Sequence, residues 1–518
     1  MNAVTGLWNI TREHPGAVAV VDPDGTEVTY AELTARADRY ARGFQAHGLT
    51  PGDAVVCLLP NSADLLALYF AVIQTGLYFV PVNWHLVGPE INYIIGDSGA
   101  RIVVAHERFG EAARTAAEGT AVPPDALFSV GTVEGFRPLA ELGADQPPGR
   151  PENRLQGAPM LYTSGTTGRP KGVRRPLTGE PVDEVPLRNT VFFALFDLKP
   201  FDGHVHLCGS PLYHAAVLSF GVVSVQYGHT VVLMDGWDAE GALALIERYR
   251  VTHSHVVPTQ FHRWLALPAE VRAGYDLSSL RTVVHGAAPC PVETKRRMIE
   301  WLGPVVVEYY AATEGGGAVI TSEQWLAKPG SVGLPWPGSQ VRVLDEQGRD
   351  VPTGEPGLVY LQSGPKTTFH YHGDEAKTRA NRVGELFTMG DIGYLDADGY
   401  LYLCDRRNDM IISGGVNIYP AEIEGELACH PKVADVAVFG IPHPDWGEEV
   451  KAVVQPADGV AAGPALTEEL LAWAATRLAR FKLPRSVDYL DSLPRDPNGK
   501  LYKRRLREPY WANRGRAI

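Results

Sequence analysis

From Tyr162 to Gly172 the chain runs Tyr162-Thr163-Ser164-Gly165-Thr166-Thr167-Gly168-Arg169-Pro170-Lys171-Gly172, and no other stretch constrains it as strongly. Glycines let the backbone turn at positive φ and bring its N–H groups close to an anion, while hydroxyls and one ammonium add further donors. The run therefore reads as a polyphosphate cradle. Its order departs from the common nucleotide loop G-x-x-x-x-G-K-[ST], because Lys171 precedes a glycine. A polar surface loop would share the composition; two hydroxyl pairs flanking glycines, and the Arg169-Pro170-Lys171-Gly172 tail, favour the cradle.

At 518 residues the chain exceeds one ordinary core, so two or more domains are expected. A net charge of −13 argues against a general nucleic-acid or anionic-membrane binder, which leaves a polyphosphate to be held by local donors. Met1-Asn2-Ala3-Val4-Thr5-Gly6 lacks a basic region followed by an apolar core, and no stretch approaches the ~20 apolar residues of a membrane span. Cysteines 57, 208, 290, 404 and 429 lack C-x-x-C spacing and read as reduced thiols of a cytoplasmic protein, with Cys290 a small apolar filler. The H-x-H pairs His204/His206, His253/His255 and His370/His372 place two rings on one strand face without the carboxylate or thiol pattern of a zinc site.

Strand and helix signals alternate from the start: Ala17–Val21, a helix from Tyr30 to Gly48, Ala54–Leu59, an apolar helix from Leu65 to Gly76, then Tyr78–Val82. Such alternation implies parallel sheets, and it resumes between Leu155 and Ile320. From Gly330 to Cys404 short alternating strands such as Val341–Leu344 and Gly357–Leu361 suggest a smaller β element. After Asp405 the pattern becomes α+β, with a helix opening at Pro420, a strand at Val436–Phe439 and a helix at Leu466–Arg480. Lys503, Arg504, Arg505 and Arg507 read as a solvated helix end.

Five further motifs follow the cradle in a recognisable order. They are Pro211-Leu212-Tyr213-His214; Gly286-Ala287-Ala288-Pro289; Tyr310-Ala311-Ala312-Thr313-Glu314; Met389-Gly390-Asp391 with Asp405-Arg406 and Ser413-Gly414-Gly415; and Pro497-Asn498-Gly499-Lys500. With the cradle they resemble the adenylate-forming superfamily of acyl- and aryl-CoA synthetases, adenylation domains and beetle luciferases. The resemblance covers nearly the whole chain. It implies an α/β N-terminal lobe of residues 1–404, closed by the small β element, a hinge at 405–409 and a small mobile α+β domain at 410–518.

The resemblance also implies roles. Thr163, Ser164, Gly165, Thr166, Thr167 and Lys171 would grip the phosphates of ATP, Glu314 would ligate Mg²⁺, and Thr313 would reach the α-phosphate. Gly286, Ala287 and Ala288, with Glu308, Tyr309, Tyr310 and Ala311, would enclose adenine; Asp391 and Arg406 would take the ribose. The family more often has glycine where Ala311 stands. Lys500 would bridge the incoming carboxylate and the α-phosphate, offsetting charge that builds in the transition state. Asn408 occupies the hinge position where the family usually has Asp or Lys. Ser413, Gly414 and Gly415 would line the passage for coenzyme A.

An acid pocket is expected from Tyr213, His214, Thr259, Gln260 and Gly286 with Gly315, Gly316 and Gly317, and His214 would gate it. Three glycines without side chains suggest a wide cavity suited to a bulky, ring-bearing carboxylic acid, although they serve backbone bends equally well. The expected activity is an ATP- and Mg²⁺-dependent acid:CoA ligase. Rivals are an enzyme of one half-reaction, one that passes the acyl group to an amine or carrier protein, and a non-catalytic nucleotide- or acyl-binding paralogue. A homodimer stays open.

Overall fold

The computed structural model describes residues 4–163, 171–184, 191–312, 315–362, 370–371, 381–407, 409–495 and 501–512. They form a mixed α/β protein whose chain divides into two units. One comprises 1–255, 267–284 and 365–380; the other comprises 256–266, 285–364 and 381–518.

The first unit holds a six-stranded parallel sheet in the order Arg137–Pro138, Leu127–Val130, Ala100–His106, Ala54–Leu58, Tyr78–Pro81 and Ala158–Pro159. Helix Tyr30–Ala46 begins at a capping box. The Glu32 N–H donates to Thr29 Oγ1 at 3.2 Å, and the Thr29 N–H donates to Glu32 Oε2 at 2.8 Å. Its buried Leu33, Ala37, Tyr40, Ala41 and Phe44 recur at helical spacing, and the chain leaves through Gly48 at φ 72°. A second sheet runs Glu27–Thr29, Val18–Val21, Thr230–Leu233, Val205–Cys208, His253–Val256 and Thr282–His285. A small antiparallel sheet joins Leu161–Thr163, Lys171–Arg174 and His370–Tyr371.

Two of the H-x-H pairs, His204/His206 and His253/His255, meet within this second sheet, while His370 lies in the small antiparallel sheet and His372 lies outside the described residues. His206 stacks on His253 at 4.7 Å, His204 lies 4.8 Å from His229, and His229 lies 5.2 Å from His253. Burial pushes His206 and His229 down to about 3 and His255 down to about 4, and holds His253 well below its ordinary value; His204 is lowered for the same reason. Because the folded values lie below the unfolded one, the unfolded chain binds more protons between about pH 6.5 and 3, and stability falls as pH drops through that window. Each histidine contributes about 1.4 kcal/mol per pH unit there. Denaturant unfolding at pH 7, 6 and 5 is expected to show uptake of at least ~3 protons on unfolding in the acid limb. A slope below one proton would show that the cluster titrates normally.

The second unit is antiparallel through Val306–Ala312, Gly315–Ile320, Ser331–Pro335, Leu401–Arg406, Asp391–Leu395 and Gly357–Gln362. A separate sheet follows in the order Val416–Ile418, Ile411–Ser413, Gly447–Pro456 and Val433–His443, with Ser486–Tyr489 parallel on Gly447–Pro456. Alternation along Val433–His443 sends Val436 and Val438 to the core shared with helices Pro420–Ala428 and Pro464–Ala475. Ala437 and Phe439 take the opposite face, against Leu506 and Tyr510 of helix Lys503–Trp511.

That last helix corrects one expectation. Lys503 is not solvated: its Nζ lies 2.8 Å from Glu424 Oε1, with 15% and 19% of the two side chains exposed. Glu424, Asp405 and Asp409 together raise it against burial. All five cysteines are free, Cys57 and Cys208 buried among them. Among the described residues no helix is long and apolar enough to cross a membrane.

Candidate active site

In the first unit, Thr163 pairs with Lys171 and Tyr162 with Gly172, so the cradle leaves and re-enters an antiparallel hairpin. Ser164, Gly165, Thr166 and Thr167 lie outside the described residues, as do Thr313, Glu314, Asn408 and Lys500. The Pro211–His214 turn is fixed by a residue the motifs did not flag. Asn61 donates to Ser210 O at 2.9 Å and Met234 O at 3.0 Å, and its Oδ1 accepts from the Leu212 N–H at 2.8 Å. Tyr213 is buried, and the half-buried ring of His214 packs on it at 4.2 Å as the chain enters helix Ala215–Gln226.

In the second unit, the Val306–Ala312 strand presents Glu308 through Ala311. Gly286 abuts it so closely that a Cβ there would lie 2.8 Å from Tyr309 Cε1 and from Tyr309 O, which requires glycine. Ala287 follows at φ 68°, a left-handed conformation that costs an alanine about 1 kcal/mol and is held against that strain beside the wall. Glu308 turns inward instead. Its Oε2 accepts from Lys295 Nζ at 2.5 Å and lies 3.7 Å from His285 Nε2. The carboxylate is thus committed to the interior, and Tyr309, Tyr310 and Ala311 carry the rest of the wall.

Tyr310 donates its hydroxyl to Asp391 Oδ2 at 2.6 Å, while Arg406 Nε stands 3.4 Å from Oδ1. Asp391 and Arg406 face each other across the Asp391–Leu395 and Leu401–Arg406 strands, which is why distant motif residues converge. Asp391 is 8% exposed, yet its carboxylate retains lone pairs for further donors. Tyr310→Phe keeps the ring and removes the donor that aims Asp391. KM for ATP is expected to rise about tenfold, the value of one charge-assisted hydrogen bond of about 1.4 kcal/mol, and steady-state kinetics would refute this if KM stayed within about twofold.

The candidate pocket residues divide. Gln260 Oε1 accepts from the Val257 N–H at 2.9 Å, a tie that opens helix Pro258–Ala266; Thr259 beside it is half-buried. A Cβ on Gly316, at φ 70°, would lie 2.7 Å from Gln362 O, and one on Gly317 would strike Tyr310 O and lie 2.8 Å from Trp336 Cζ2. Strand packing therefore accounts for these two glycines, without appeal to a wide cavity. Gly315 pairs with Ala312 in the same sheet.

Gly414 and Gly415, at φ 58° and 80°, turn the chain after Ser413 between strands Ile411–Ser413 and Val416–Ile418. The turn borders a cavity of about 150 Å³ lined also by Val416, Trp446, Phe481 and Arg485. Trp446 stacks on His443 at 4.4 Å beneath the Arg485 guanidinium. No motif signalled these four residues; the only cue was an aromatic ring and a cation left at polar positions. Among the described residues no three His, Cys, Asp or Glu side chains gather as a metal site. A phosphate-borne Mg²⁺ asks for one or two protein carboxylates only, and Glu314, the one the resemblance implies, lies outside the described residues.

Residues 7–372 match the family described as AMP-binding enzyme, and residues 422–500 match the AMP-binding enzyme C-terminal domain. The chain is 38% identical over 520 residues to the feruloyl-CoA synthase of an Amycolatopsis species, covering 98% of this chain and 99% of that one. It is 35% identical over 508 residues to a long-chain-fatty-acid–CoA ligase of Mycobacterium tuberculosis, covering 96% of each. The amide bond synthetase McbA of Marinactinospora thermotolerans superposes with a TM-score of 0.83 at 28% identity, covering 97% of this chain and 99% of that one. These matches establish that the chain belongs to the AMP-binding enzyme family.

Proposed function

We propose that this protein is an ATP-dependent, AMP-forming acid:CoA ligase acting on a bulky or ring-bearing carboxylic acid. A carboxylate oxygen attacks the α-phosphorus of ATP, pyrophosphate leaves, and the acid becomes an acyl-adenylate. The thiol of coenzyme A then attacks the acyl carbon, loses its proton and expels AMP. The observation that carries the reading is Asp391, held by the Tyr310 hydroxyl and flanked by Arg406 at the edge of a glycine-backed wall. That arrangement suits a ribose with its base alongside. The likeness to a feruloyl-CoA synthase supports a ring-bearing acid, and the turn at Gly414 and Gly415 beside an aromatic-lined cavity supports a thin thiol-bearing arm.

Within this reading Thr163 through Lys171 hold the phosphates, Lys171 serving pyrophosphate, and Glu314 holds Mg²⁺, which supplies charge neutralisation at the phosphates. Thr313 meets the α-phosphate, Lys500 bridges it to the carboxylate, and His214 gates the acid. The hinge is 405–409, centred on Asn408, between domains 1–404 and 410–518. Transfer of the acyl group to an amine is the second reading, favoured by the likeness to an amide bond synthetase.

Pyrophosphate exchange with fatty, aromatic and polycyclic acids, followed by mass detection of CoA adducts, tests both. Exchange and a CoA adduct with a ring-bearing acid are expected. Exchange without any adduct would move the assignment to amide formation or to a single half-reaction, and ATP binding with neither would leave a binding protein.

A further inference from the structure

We propose that Asp97 is a positioning residue for the phosphate cradle, acting through the hydroxyl of Tyr162; the inference rests on the ATP-binding part of the function proposed above. Asp97 sits in the last turn of helix Gly88–Ser98, far in sequence from the cradle. Its Oδ2 accepts from Tyr162 OH at 2.6 Å and its Oδ1 from Tyr93 OH at 3.2 Å, so one carboxylate takes two phenols. Tyr162 is the residue before Thr163, at the point where the hairpin hands the chain to the cradle.

The other strand is shaped to allow this tie. Gly172 stands opposite Tyr162, and a Cβ there would strike Met160 Cε first and also lie 3.2 Å from Tyr162 Cζ and 3.3 Å from its hydroxyl. A side chain at 172 would thus push the phenol from the line it takes to Asp97. The returning strand has its own anchors. Arg174 donates to Gly52 O at 2.9 Å and covers the Tyr78 ring at 4.0 Å, and Tyr78 OH donates to Arg175 O at 2.8 Å. Both ends of the cradle are therefore pinned to the same parallel sheet and its helix. The departing strand is held by its pairing with the returning one and by the Met160 N–H donating to Phe79 O at 2.8 Å, and the Asp97 contact adds the side-chain tie nearest the cradle.

The physical need follows from the cradle's composition. A glycine-rich loop has little conformational preference of its own, so the cost of ordering it around phosphates depends on how firmly its ends are held. Burial and Asp97 both raise the Tyr162 phenol well above its ordinary value, which keeps it protonated as a donor. A short bond to a carboxylate is among the stronger side-chain ties available for this purpose.

The test compares Tyr162→Phe, Asp97→Ala and Asp97→Asn in the full chain. Calorimetric titration with ATP alone is expected to show Kd raised about tenfold by Tyr162→Phe and Asp97→Ala, and about threefold by Asp97→Asn, whose amide oxygen still accepts. Transfer to CoA from a supplied acyl-adenylate, which needs no pyrophosphate grip, should stay within about twofold of wild type. ATP affinity within twofold in both Tyr162→Phe and Asp97→Ala would overturn the proposal, as would equal losses in ATP binding and in transfer, the mark of a merely structural contact. If wild type binds ATP but forms no CoA adduct, the ligase reading fails while the Kd comparison still decides this one. No ATP binding by wild type would sink both.

Discussion

Lys500→Ala is expected to slow acyl-adenylate formation by about 10² to 10³-fold while leaving thioester formation from a supplied acyl-adenylate within about twofold. The asymmetry follows from where charge builds. In the first step two anions, a carboxylate and the α-phosphate, are brought together; in the second the acyl carbon is already activated. Neighbouring cations are poor substitutes. Arg495, just before the loop that carries Lys500, forks onto Asp435 at 2.5 and 2.7 Å, and Lys503, just after it, is paired with Glu424. Those ties also hold the ends of the loop, as do the Arg495–Leu501 bridge and the Tyr502 N–H donating to Pro494 O at 2.8 Å. Single-turnover measurement of each half-reaction separates the outcomes. Loss of both steps together, or of neither, would remove Lys500 from the role assigned to it.

What could be read from the chain differs by the kind of signal. Local periodicity located Tyr30–Ala46, Ala54–Leu58, Tyr78–Pro81 and Val341–Leu344 to within a residue or two, because capping, β-branching and glycine stops act over a few positions. Boundaries set by tertiary packing were harder. The strand expected at Val436–Phe439 extends over Val433–His443, since its polar ends gain their partners from Gly447–Pro456, and the helix expected to reach Arg480 stops at Ala475. At the site, Asp391 and Arg406 were legible as motif residues, and the antiparallel register brings them together. Asp97, Asn61 and Trp446 were not, because each acts on a partner that only the fold supplies. Glu308 shows the converse. It was legible as part of a nucleotide-wall motif, but the Lys295 partner that its carboxylate takes in the core was not.

Removing that core partner should produce the largest loss of stability. Lys295 lies on helix Val292–Leu302 among charged residues and looks solvent-facing in sequence, but it is fully buried, with its ammonium 5.0 Å from the Trp325 ring centre and on Glu308. Burial drives Lys295 down and Glu308 up while each opposes the shift of the other, so the pair holds together two groups that neither could keep charged alone. Lys295→Ala strands a buried carboxyl and is expected to cost about 3–5 kcal/mol in denaturant unfolding. Lys295→Met with Glu308→Leu, which removes both charges at similar volume, should recover most of that loss. The single variant also has a pH signature. Without its partner Glu308 keeps a folded pKa above the unfolded one, so the deficit relative to wild type should grow as pH rises and shrink as pH falls through about 4.5, below which the carboxyl becomes neutral in both states. Since Glu308 opens the segment that includes Tyr310, the double variant should fold yet bind ATP less well if the ion pair also sets the pitch of that strand. Normal ATP affinity in the double variant would confine the pair to stability, and a deficit in Lys295→Ala that did not vary with pH would show that Glu308 finds another cation.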